Sequence, residues 1–164
     1  MKRAALRAHP YRETHVIDER APRTNQTVIG AVAAVAVVVG PWWLLAILAA
    51  QLAIGLQLGR RYCLPCAFYF EVIQPLFGEG QLEDARPPRF ANMVGLVFLA
   101  AASGFYAAGL ETVGAAIGLM VAALALLAAA TGFCAGCTAY KIGYRLTGRR
   151  FVSCPLPPAL PERA

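Results

Sequence analysis

The chain has 164 residues, room for one ordinary domain, and it is 59% apolar with only 15% charged residues, a balance that argues against a soluble fold. Its net charge of +6 comes with no aromatic-studded basic repeat and no nucleic-acid motif, so no nucleic acid is expected as a partner. The charges gather in residues 1–26, 59–89 and 141–164, and the apolar blocks 28–58 and 90–133 between them hold a single one, Glu111. Blocks of this kind make the lipid bilayer the expected partner.

Residues 1–26 read as a basic tail. They are too polar to open a cleaved signal peptide, and His9 and His15 have no companion ligands for a metal. The block 28–58 would be about 45 Å long as one helix, against a hydrocarbon core of about 30 Å. Gly40-Pro41 near its middle supplies turn geometry and removes a backbone donor, which predicts a hairpin. Its first helix ends near Val39 and its second near Leu58, with Trp42 and Trp43 at the interface. The first helix is the short one, and it starts at Val28 or as early as Asn25.

Residues 67–77 are aromatic-rich and too short to span, which predicts a helix lying in the interface and ended by Pro75. The second block gives a span over 90–109, a turn at Leu110-Glu111-Thr112 and a span over 113–133. Ala100, Gly104 and Ala108, and likewise Gly114, Gly118 and Ala122, recur every four residues, a spacing that lets helix backbones approach closely. A proline-rich tail, 148–164, carries the isolated Cys154. All fifteen Lys and Arg residues lie outside the two hairpin turns, on one side, which the positive-inside rule makes cytoplasmic. The expected fold is therefore all-α and polytopic: four transmembrane helices in the bacterial inner membrane, with both termini cytoplasmic. The membrane domain is 27–147.

Cys63-Leu64-Pro65-Cys66 and Cys134-Ala135-Gly136-Cys137 each follow the second helix of a hairpin. An aromatic precedes each pair, Tyr62 or Phe133, and a tyrosine follows three residues on, Tyr69 or Tyr140. Arg23-Thr24-Asn25 introduces the first hairpin and Arg89-Phe90-Ala91-Asn92 the second. A two-helix unit thus occurs twice, at 27–77 and 90–147, as parallel repeats that place both pairs at one membrane face. Two thiols three residues apart can close a disulfide, bind metal as thiolates or carry a persulfide. Zinc or an iron–sulfur cluster requires the two pairs to converge. Arg60 and Arg61 favour a thiolate at Cys63, and the carboxyl end of the preceding helix opposes it.

The segments Arg23-Thr24-Asn25-Gln26, Arg60-Arg61-Tyr62-Cys63, Pro87-Pro88-Arg89-Phe90-Ala91 and Thr131-Gly132-Phe133-Cys134-Ala135-Gly136-Cys137 resemble the bacterial membrane family called domain of unknown function 4395. The resemblance covers roughly residues 20–147. It implies thiol or sulfur transfer beside thioredoxin-like or rhodanese-like proteins, and it carries Cys134 and Cys137 over more firmly than Cys63 and Cys66. The cysteine-aromatic segment 63–71 is also similar in character to quinone-linked disulfide-forming membrane oxidoreductases. It lacks the arginine that they place after their pair, and its thiols fall on the opposite face.

The expected function is a membrane-embedded thiol protein that relays reducing equivalents or sulfane sulfur with a cytoplasmic thioredoxin-like or rhodanese-like partner. Cys134 and Cys137 are the working pair, with Cys63 and Cys66 second. The competing reading is a non-enzymatic accessory subunit of a larger membrane complex, its cysteines packing or binding metal.

Overall fold

The computed structural model describes residues 8–148, and these are mostly helical. The basic N-terminal tail and the proline-rich C-terminal tail, Cys154 included, therefore lie partly or wholly outside the described residues. Helix α1 runs over Arg20–Val39 and α2 over Trp43–Leu58, separated by Gly40 in the left-handed region (φ 101°) and Pro41. Helix α3 occupies Leu64–Phe77, with a π-turn over Tyr69–Ile73. Helices α4 (Arg86–Ala107) and α5 (Glu111–Thr131) form the second apolar pair, and α6 (Ala135–Leu146) follows.

Three of these, α1, α4 and α5, are long and apolar enough to cross a membrane. The expected order of lengths in the first hairpin is reversed. Helix α1 starts at Arg20, before the apolar block, because Pro22 suits a helix's first turn and the polar lead-in continues the helix. Helix α2 is the shorter, at 16 residues or about 24 Å. The second pair also starts earlier than hydropathy indicates, and Glu111 opens α5 rather than forming a turn. There its carboxylate meets the positive end of the helix dipole. Pro75 does not end α3: the preceding π-turn absorbs the register change, and the helix stops at Gly78 (φ 77°).

Helix α1 packs mainly on α5 and α2 mainly on α4, and α6 lies against α4. The core they enclose holds Ile29, Ala33 and Ala36, Leu45 and Leu48, Leu99 and Ala102, and Val121 and Ala122. Of the two small-residue series, only the second works as expected. A Cβ at Gly114 would lie 2.6 Å from Tyr106, and one at Gly118 would lie 2.7 Å from Val37, so these glycines permit the contact. Gly104 has nothing within 4 Å, and Ala100 and Ala108 are exposed.

Among the described residues a strand pair departs from the helical pattern. β1 (Val16–Asp18) and β2 (Leu82–Asp84) pair antiparallel, Val16 opposite Asp84 and Asp18 opposite Leu82. Beside β1 lies a second buried cluster of Ile17, Ala21, Cys63, Cys66, Tyr69 and Phe70. One cysteine pair is therefore part of a core.

Candidate thiol site

The local chain path at both cysteine pairs follows from a glycine that stops the preceding helix. Helix α2 ends at Gly59 (φ 96°), a 3-10 turn covers Arg60–Tyr62, and Cys63 is extended before α3 begins. Helix α5 ends at Gly132 (φ 75°), and Cys134 is likewise extended before α6 begins. Each pair thus opens a new helix rather than trailing an old one. This corrects the expectation that a carboxyl-terminal dipole opposes thiolate formation. The first cysteine of each pair is an N-cap, where backbone N–H groups and the positive helix end favour the thiolate.

In the first pair the two sulfurs are 2.6 Å apart, and both residues are buried, at 6% exposure each. The Cys63 thiol donates to the Asn25 amide oxygen at 3.7 Å, a contact that favours its protonated form, and Asn25 Nδ2 donates in turn to Asn92 Oδ1 at 3.4 Å. The hydrogen bond from the Cys66 thiol lowers the Cys63 pKa most; burial works against it, and the Cys66 backbone N–H assists. Cys66 is pushed up by that same hydrogen bond and then by burial. In the second pair Cys137 donates its backbone N–H to Cys134 Sγ at 3.3 Å. The Cys137 thiol, then the backbone N–H groups of Cys137 and Gly136 and the Gln26 amide, outweigh burial and lower Cys134 to about 6. Cys137 is raised, chiefly by its hydrogen bond to Cys134. Both pairs therefore combine a thiolate-favoured first cysteine with a proton-holding second one.

The pairs differ in surroundings. A cavity of about 310 Å³ adjoins Cys63 and Cys66, lined also by Asn25, Gln51, Arg60, Arg89 and Asn92. A second, of about 350 Å³, adjoins Cys134 and is walled by Phe90, Phe98, Met120, Val121 and Leu124. Asn92 and Leu52 line both cavities. No group of three or more His, Cys, Asp or Glu side chains converges among the described residues, so the two pairs do not assemble a four-thiolate zinc or iron–sulfur site. A Cβ at Gly136 would lie 2.7 Å from Ala91 Cβ, so the glycine permits close packing of α6 on α4.

Several supporting contacts were not legible in the sequence, among them those of Asp18 and Asp84. Asp18 is 2% exposed and gathers four donors: Arg20 N–H, Tyr69 O–H (2.7 Å), Gln74 Nε2 and Gly80 N–H (2.8 Å). Asp84, also buried, accepts from the Arg86 backbone N–H at 2.9 Å. Arg60 donates to the carbonyls of Thr14 and Val16, both at 2.6 Å. Arg89 donates to Leu56 O near the end of α2, and Arg23 lies against Gly132 at the end of α5. The missed signal was Asp18-Glu19-Arg20-Ala21-Pro22-Arg23 against Asp84-Ala85-Arg86-Pro87-Pro88-Arg89, a repeat that starts before the apolar blocks.

The family model described as "Domain of unknown function (DUF4395)" matches residues 17–145. No curated protein and no solved structure matches the chain.

Proposed function

The chain belongs to the DUF4395 family, whose function is unknown, and on the geometry above we propose that it is a membrane thiol-exchange protein. It relays reducing equivalents or sulfane sulfur with a cytoplasmic thioredoxin-like or rhodanese-like partner. The observation that carries this reading is the geometry of the second pair: Cys134 caps α6 and accepts the Cys137 backbone N–H at 3.3 Å, which favours the thiolate on Cys134 and leaves the proton on Cys137. Nucleophilic attack followed by resolution needs that division of roles. The Cys134 thiolate attacks a disulfide sulfur of the partner, forming a mixed disulfide and releasing the partner's other thiolate. Cys137 then loses its proton and attacks the Cys134 sulfur, so the partner leaves reduced and the pair is oxidised. Cys134 is half-exposed and Cys63 is buried, which favours the second pair for protein contact.

Four crossings in two parallel hairpins, with both termini in the cytoplasm, place the thiols on the partner's side. The strand register supports the repeat, because Val16 pairs with Asp84, the counterpart of Asp18, and Asp18 pairs with Leu82, the counterpart of Val16. A two-fold axis along the membrane normal generates this pattern, together with the crossed contacts of α1 with α5 and α2 with α4. Reporter fusions at residue 20, Gly80 and Ala164 are expected to read cytoplasm, and fusions at Gly40 and Glu111 exterior. An exterior signal at Gly80 leaves one crossing over 28–58 and removes the orientation.

The relay is tested by Cys137→Ser in cells. It is expected to accumulate a covalent adduct on Cys134 that runs high on a non-reducing gel and is released by reductant. The adduct disappears when Cys134 is also serine, with membrane insertion unchanged. If Cys137→Ser yields no adduct and Cys134 acquires no sulfur, the accessory-subunit reading replaces the relay.

A further inference from the structure

The cavity beside Cys63 and Cys66 has a charge pattern that the relay alone does not require. Arg60 and Arg89 both line it, and among the described residues no Asp or Glu side chain does. Burial lowers the Arg60 pKa most, a charge on Cys66 opposes that, and Arg89 lowers it further, so the two guanidinium groups sense one another across the cavity. Asn25, Gln51 and Asn92 add amides to the same wall. Cations grouped without a carboxylate leave a positive field that an anion relieves, and Arg forks suit oxyanions and carboxylates. The thiols in this cavity are buried, and its volume of about 310 Å³ matches a small molecule rather than a folded partner's disulfide.

We propose that this cavity binds a small anion carrying a sulfane sulfur and passes that sulfur to Cys63, an assignment that rests on the thiol-exchange reading and names its low-molecular-weight substrate. Arg89 holds the anionic group, Arg60 adds its charge to the wall while its terminal nitrogens stay on the carbonyls of residues 10, 13, 14 and 16, and the sulfane sulfur is turned toward Cys63. The Cys63 thiolate attacks that sulfur, forming a Cys63 persulfide. The bond between the sulfane sulfur and its carrier breaks, and the electron pair leaves with the carrier. From thiosulfate the leaving group is sulfite; from an organic persulfide bearing carboxylates it is the parent thiolate. Cys66, three residues on and in contact with Cys63 Sγ, can then attack Cys63 Sγ, closing a disulfide and releasing hydrosulfide.

The full chain in detergent, reduced and then freed of reductant, is incubated with thiosulfate in one arm and cysteine persulfide in the other. Intact-peptide mass spectrometry reads sulfur on Cys63, and sulfite is assayed in the first arm. Cys66→Ser is used so that the persulfide is retained. The expected result is one sulfur on Cys63, with stoichiometric sulfite in the thiosulfate arm if the source is inorganic, or loading in the persulfide arm alone if it is organic. Arg89→Gln is expected to slow loading at low donor concentration by roughly ten- to a hundredfold, with the loss in apparent affinity. Arg60→Lys gives a second variant, expected to load more slowly through its changed charge placement, since Arg60 also holds residues 14 and 16; continued protection of Cys66 from alkylation, in chains that keep Cys66, shows that either variant is folded at this end. The proposal is overturned if neither donor loads Cys63, if sulfur appears on Cys134 instead, or if folded Arg89→Gln loads at the parent rate. An adduct from Cys137→Ser in cells alongside such a failure leaves the relay standing without this substrate.

Discussion

Alkylation of Cys134 is expected to titrate with a midpoint near pH 6, about three units below an ordinary thiol, while Cys137 in the same protein stays unreactive through neutral pH. The midpoint is the informative quantity. At pH 7 the shift raises the thiolate fraction about 90-fold, but a less basic thiolate is a weaker nucleophile by ~20-fold, so the rate itself gains only a few-fold. Pulsed iodoacetamide at graded pH, read by peptide mass spectrometry, measures it. Because the Cys137 thiol is the largest cause of the shift, Cys137→Ala is expected to move the midpoint back toward the ordinary thiol range. Cys137→Ser keeps a hydroxyl donor and is expected to fall between. A parent midpoint near 9 with no response to Cys137→Ala would remove the division of roles on which the relay stands.

The same shift links to stability. A thiol whose folded pKa is depressed stabilises the fold fully above its unfolded value near 9, and the contribution fades as pH falls through about 6. The parent is therefore expected to lose more thermal stability than Cys134→Ser between pH 9 and pH 5.

Asp18→Ala is expected to destabilise the Cys63 end of the bundle by on the order of 3 kcal/mol, since it strands the buried donors of Tyr69, Gln74 and Gly80. Tyr69 packs in one cluster with Cys63 and Cys66, so the loss is expected to admit alkylating reagent to those two thiols. Cys134 lies outside that cluster, and its alkylation is expected to be unchanged. Thermal denaturation in detergent together with site-resolved alkylation checks both parts. Equal loss of protection at all four thiols, or none, would show that Asp18 does not organise the Cys63 end separately. Asp18→Asn is expected to recover little, because the amide keeps one acceptor oxygen and turns a donor toward groups that are themselves donors.

Much of this architecture is local and was therefore legible in the residues. A run of apolar side chains is a property of the run itself. The turn at Gly40-Pro41, the end of α2 near Leu58 and the cysteine spacing needed no tertiary information. The repeat was also visible, although its strongest copy, the Asp-x-Arg-x-Pro-Arg lead-in, lies in polar sequence that hydropathy passes over. Helix starts came out late for the same reason: Arg20 and Arg86 begin helices as polar turns before the apolar stretch.

Tertiary structure decided what depends on partners distant in the chain. Two similar motifs acquired different environments, Cys63 buried in one cluster with Ile17 and Tyr69 and Cys134 half-exposed beside the Gln26 amide of α1, because each contacts a different non-local neighbour. Gly114 and Gly118 became contact points while Gly104 did not, a difference set by which helix face meets another helix and not by four-residue spacing. The cysteines' place at helix beginnings came from backbone reversal at Gly59 and Gly132, where positive φ ends one helix and an extended residue starts the next. A motif's spacing can establish that two thiols meet. Which of them carries the charge depends on the N–H groups, thiols and amides that folding brings around it.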